Sequence, residues 1–113
     1  MANSFVNKKV DLTTTSATTL YTAPSAATSI IKSILVSEDS GNADTITVTI
    51  TDTSDAVFSL FKTKSISANG TTELLTAPLV LQQNEVLKVT AATANRLHVI
   101  LSALQSKPRE VIT

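Results

Sequence analysis

The stretch "TITVTITDT", residues 45–53, puts threonine on every second position and the branched aliphatics Ile46, Val48 and Ile50 between them. A period of two cannot form one face of a helix with 3.6 residues per turn. In a strand it sends the two sets to opposite faces. The stretch is therefore a β-strand with an apolar face and a hydroxyl face. Solvated strand faces usually mix Lys, Glu, Gln and Thr. A face of threonine alone is flat and uncharged, and it repels no neighbour. Thr hydroxyls can bond across a contact without the desolvation cost of Lys or Glu. Thr45, Thr47, Thr49 and Thr51 are accordingly expected at a subunit interface.

Further strand patterns recur along the chain. "SFVNKKVDL" (4–12) carries Phe5 and Val10 as apolar anchors, and "TTLYTAP" (18–24) ends at Pro24. "TSIIKSILVS" (28–37) is apolar on both parities for part of its length, the pattern of a strand buried on both faces. "SEDSGN" (37–42) reads as a turn, and "AVFSLFKTKSI" (56–66) supplies Phe58 and Phe61. In "SANG" (67–70), Asn69-Gly70 favours positive φ. "TTELLTAPLVL" (71–81) is interrupted by Pro78, which suits an edge or a bend. "VLKVTA" (86–91) and "RLHVILSAL" (96–104) are expected to form a closing hairpin. About seven or eight strands with turn signals every 8–12 residues predict an all-β protein, an antiparallel β-sandwich of jelly-roll type. The expected core is Ile34, Val36, Ile46, Val48, Ile50, Leu87, Val89, Leu97, Val99 and Leu101. Residues 18–105 are expected to form the sandwich domain, with 1–17 an N-terminal arm or first strand and 106–113 an extended C-terminal tail.

Composition narrows the function. The 113 residues suffice for one domain with a core. Nineteen threonines and thirteen serines stand against a charged fraction of 16%, which suits a protein whose outer faces are partly covered. Nine basic and nine acidic residues cancel, whereas a nucleic-acid binder normally carries a basic excess. No apolar run approaches the roughly 18 residues of a membrane span. "MANSFVNKKVDL" has no apolar segment of a secretion signal after its charges, so the expectation is a protein made in a cytoplasm and kept or assembled there. There is no cysteine, which excludes disulfides and thiolate metal sites.

Chemistry has few candidates. His98 is the single histidine, out of phase with Leu97, Val99 and Leu101, and reads as a strand-face side chain. No G-x-S-x-G elbow is present, and Gly41 and Gly70 are too few for a phosphate loop. Neither an enzyme nor a cofactor is expected. Glu38, Asp39, Asp44, Asp52 and Asp55 fall in a stretch without Lys or Arg, a possible source of oxygen ligands for a hard cation. Acids also cap turns routinely, so no metal ligand is assigned. Tyr21 is the one candidate platform for stacking a sugar or base.

"TTLYTAPSAATSIIKSILVSEDSGNADTITVTI" resembles a pattern of small structural proteins of tailed bacteriophages: Y-T-x-P, then a K-S-I strand, a Ser/Gly-Asn turn and a Thr-rich alternating strand. "SISANGTTELLTAPLVLQQNEVLKVTAATANRLHVILSALQ" is similar to its second half, with "ANG", "PLVL", "LKVTA" and "AN" in order. The resemblance covers about residues 18–105 and implies a virion component. Within that class the expectation is a capsid decoration or cement protein. The alternative is a neck, tail or fibre protein, with receptor binding as its further role. The implied partners are further copies of the chain, as a trimer or ring, and other virion proteins such as the major capsid protein. Phe5, Val10, Val111 and Ile112 join the threonine row as expected interface residues, because the two ends carry apolar side chains without a domain of their own.

Overall fold

The computed structural model describes residues 2–107. It is all-β, with nine antiparallel strands in two sheets. In the first sheet, β1 (Ala2–Asp11) pairs with β9 (Leu97–Lys107), and β9 pairs with β3 (Thr28–Glu38). Two short strands, β6 (Thr71–Glu73) and β7 (Leu79–Leu81), pair with the other edge of β3. The second sheet runs β2 (Thr18–Thr22), β8 (Val86–Ala91), β4 (Asp44–Thr51) and β5 (Val57–Ile66). Of consecutive strands, only β4 and β5 pair with each other as a hairpin. Every other step crosses between the sheets or returns to β3, and the resulting order is that of a jelly roll.

Strands 86–91 and 97–107 do not form the expected hairpin. β8 lies between β2 and β4, and β9 lies between β1 and β3. Both carry an unbroken inward apolar set, Leu87, Val89 and Ala91 on one and Leu97, Val99, Leu101 and Ala103 on the other. Placed in opposite sheets, the two sets face each other across the core. The connecting loop is tied to both sheets: Ala92 N donates to Thr45 O at 3.2 Å and Asn95 N to Leu12 O at 2.8 Å. Asn95 takes φ 66°, a left-handed conformation that Asn tolerates.

The segment 71–81 becomes two strands, which raises the count to nine. Between them the edge of β3 has no strand partner. Glu73 stands in for it: its carboxylate accepts Ile34 N at 2.8 Å and Leu75 N at 3.2 Å, and also the Ser33 hydroxyl. In the 67–70 turn, Asn69 has the positive φ, at 55°, and Gly70 does not.

Nine of the ten expected core residues are fully buried. Ile50 is the exception, half-buried against the core near the end of β4, where Phe58 opposite it is 57% exposed. Thr53 lies beyond β4, in the turn to β5, so the alternation outlasts the strand by one step. The expectation that β3 is covered on both faces fails at Leu35, which is 37% exposed, because no third layer packs on the first sheet among the described residues.

Ile34 and Leu35 are neighbours on opposite faces of β3. Ile34→Ala is expected to destabilise by about 2–5 kcal/mol, and Leu35→Ala by about 1 kcal/mol or less. Urea unfolding midpoints at constant slope check the difference.

Candidate interaction surfaces

The outer face of the second sheet carries the threonine row. Thr45, Thr47, Thr49 and Thr51 all point outward and are half-buried between neighbouring strands. Thr47 sits opposite Thr90, Thr49 between Lys88 and Ser59, and Thr51 between Val86 and Val57. The Thr47 hydroxyl accepts Thr63 N at 3.1 Å, where β5 is irregular and Thr63 has φ 50°. The face is largely hydroxyl, with Lys88 the charge in its middle.

The outer face of the first sheet differs. Strand register lines up its side chains in rows across the sheet. One row is Phe5–Leu104–Ile30–Val80. It is apolar from edge to edge, with Phe5 81% and Val80 50% exposed. Another row is Lys9–Ile100–Leu35–Glu73, whose two central apolar members are 40% and 37% exposed. Asn7, Ser102, Ser33 and, at the bulge of β3, the exposed Lys32 lie between these rows. Sequence reading assigned this surface no role apart from Phe5. Its signal is the apolar residues on the second parity of "SIIKSILVS", which in sequence read as buried, and Ile100 and Leu104 in "LHVILSAL".

The remaining sequence candidates scatter. Val10 turns inward and packs against the core from the edge strand. Val111 and Ile112 lie outside the described residues. Tyr21 is no stacking platform: it is 1% exposed, with its hydroxyl 2.7 Å from Ser29 Oγ and accepting Gln105 Nε2 at 2.8 Å. His98 stands on the outer face of the first sheet between two carboxylates, Nε2 3.2 Å from Asp11 Oδ1 and Nδ1 3.5 Å from Asp39 Oδ2. The acids of 38–55 serve separate turns. Asp52 Oδ1 accepts Ser54 N at 2.8 Å and Ala56 N at 3.0 Å, closing the β4–β5 loop. Asp44 accepts Thr93 N at 3.1 Å. Among the described residues, no three His, Cys, Asp or Glu side chains gather as a metal site.

Glu38 is the most strongly tuned of these groups. Its side chain is buried at the end of β3. Burial pushes its carboxyl up, but hydrogen bonds outweigh that and hold its pKa at about 2, below the ordinary 4.5. The donors are the Ser40 hydroxyl and the backbone N–H groups of Asn69, Ser40 and Gly41. One carboxylate thus joins the β3–β4 loop to the β5–β6 turn. Burial likewise pushes the Glu73 carboxyl up, and its bonds from Ser33, Ile34 and Leu75 bring it below the ordinary value.

No family model matches the chain, and no curated protein matches it in sequence. Solved structures share its fold. A chain from Bacillus endospore appendages, described as a family of disulfide-linked pili, superposes with a TM-score of 0.60 at 10% identity, covering 96% of this chain and 88% of that one. A chain from the acid-stable capsid structure of Helicobacter pylori bacteriophage KHP30 gives 0.58 at 13% identity, covering 94% and 89%. A chain of the cyanophage Pam1 capsid asymmetric unit gives 0.47 at 18% identity, covering 94% and 85%. For the first two chains, at these identities, the likeness is one of fold.

Glu38 and Glu73 bind protons less readily folded than unfolded. Their stabilising effect is present above about pH 4.5 and declines as pH falls below it, for Glu38 down through about 2. Glu38→Gln is expected to lower the melting temperature at pH 7 and to flatten this acid-side decline. Thermal melts of both proteins from pH 7 to 2 check both effects.

Proposed function

We propose that the protein is a non-enzymatic structural component of a bacteriophage virion, acting as a decoration or cement subunit on the capsid. The observation that carries this reading is the apolar row Phe5–Leu104–Ile30–Val80 on one outer face, exposed at both ends and half-buried between. A monomer in water gains nothing from such a row. A subunit pressed against a neighbour does, because each Val, Leu or Ile it covers contributes about 1.5–3 kcal/mol before ordering costs. The hydroxyl face opposite lacks the mixed charges of a surface selected for solvent. The fold shared with a chain of the KHP30 capsid structure supports the same reading. Its partners are then other virion proteins, the major capsid protein first, and further copies of itself. Small contacts repeated around a shell add through multivalency.

The pilus likeness favours a second reading, a component of an extended assembly such as a neck, tail or fibre. The disulfide linkage described for those pili has no counterpart here, since this chain has no cysteine.

Reconstitution separates the readings. Purified protein added to phage heads that lack it is expected to bind to saturation and to raise the temperature at which heads release DNA. Val80→Asp, a change on the exposed row, is expected to reduce occupancy at least tenfold while leaving the melting temperature of the free protein within a few degrees. Cryo-electron microscopy showing the chain at the neck or tail alone favours the second reading. No particle binding at any site overturns both.

A further inference from the structure

We propose that residues 108–113, the segment after β9, fold back as a strap over the outer face of the first sheet of the same chain and seat Ile112 against Phe5 and Leu104. The contact is argued from one sheet and does not rest on the virion reading. The described part of β9 stops at Lys107, beside Ala2, with the Phe5–Leu104 pair three residues back. Pro108 has no N–H with which to extend the β9 ladder. At this end the face holds a shallow groove of about 390 Å³, lined by Phe5, Val6, Asn7, Lys32, Ser102 and Ala103.

The rows of the sheet match the sequence of the segment. Nearest Lys107 is a polar row, Asn3–Ser106–Thr28. Next comes the apolar row at Phe5–Leu104–Ile30, then Asn7–Ser102–Ser33 with Lys32 at the bulge. In an extended segment running back over the sheet, alternate side chains face down at the spacing of the rows. Glu110 then lies over Asn3, Ser106 and Thr28, whose amide and hydroxyls donate to a carboxylate, and Ile112 lies over Phe5 and Leu104. Arg109 and Val111 face away. A slip by one residue would turn Arg109 down instead of Glu110, placing a cation on the face that already carries Lys32 and begins at Lys107.

Reach limits what the strap covers. A point one packed layer above Leu104 lies ~14 Å from Lys107, and the five residues to Ile112 span up to ~16–18 Å, whereas the Ile100–Leu35 row lies ~23 Å back along the strand. Ile112 therefore covers the Phe5–Leu104 end alone. Val80, Ile100 and Leu35 stay exposed. Tethering selects the same chain over a neighbour. A short linker holds Ile112 at millimolar effective concentration beside its own groove, which a second copy matches only at comparable protein concentration. Where the virion reading holds, the strap shields one end of the apolar row in the free subunit and leaves the Val80 end to meet the particle.

Nuclear magnetic resonance on the isotopically labelled chain, well below millimolar concentration, tests the contact directly. Nuclear Overhauser effects are expected from the Ile112 methyls to the Leu104 methyls and the Phe5 ring. In a mixture of labelled and unlabelled chains, isotope filtering is expected to show none between copies. Ile112→Asp is expected to abolish these effects and to raise binding of an apolar dye about threefold, as is a chain stopped after Lys107. Val111→Asp, on the parity that faces away, is expected to change neither. All these changes lie outside the strands, and circular dichroism confirms that each variant is folded. Absence of the Ile112 contacts, contacts only between copies, or equal effects of Val111→Asp and Ile112→Asp overturns the proposal. The experiment uses the free chain without particles, so its failure leaves the virion reading standing, and failure to bind particles leaves the strap standing.

Discussion

Leu97, Val99, Leu101 and Ala103 on β9 and Ile46, Val48, Leu87 and Val89 on β4 and β8 are two halves of one apolar layer, each residue at 1% exposure or less. The other features of the fold depend on that layer. β9 must lie inside the first sheet, between β1 and β3, for its inward side chains to be covered at both flanks. β8 must do the same in the second sheet. Once the two strands sit in opposite sheets, the chain has to cross between them repeatedly, and the jelly-roll order follows. Such non-local pairing implies slow folding compared with a chain of simple hairpins.

Where the ladders stop, carboxylates replace strands. Glu73 fills the gap on β3 between β6 and β7, and Glu38 satisfies backbone N–H groups of two loops at the end of the same strand. A buried N–H without an acceptor is costly. Two ionised side chains therefore hold the broken edge of the first sheet, and the fold acquires its sensitivity to acid there.

The two outer faces do different things with the same geometry. On β4 the outward set is threonine, which is compatible with water and with a neighbour alike. On β3 and β9 the outward set is partly aliphatic, which water disfavours. The difference gives one small domain two distinct outer surfaces.

Much of this was legible from the chain alone. Alternation in "TITVTITDT" determined the strand, its two faces and two of its buried residues, because a period of two has one structural solution. The inward sets of β3, β8 and β9 were legible for the same reason. Periodicity is a local property, however, and says nothing about which strand lies beside which. The separation of β8 from β9 and the splitting of 71–81 came only from the tertiary structure, which balances burial across both sheets. The same holds for the outer face of the first sheet. In sequence, an apolar residue on the second parity of a strand reads as buried. Whether a layer covers it is decided by the rest of the chain, and among the described residues none does. Phe5, Leu104, Ile30 and Val80 are separated by up to 99 positions in sequence, and only strand register brings them into one row.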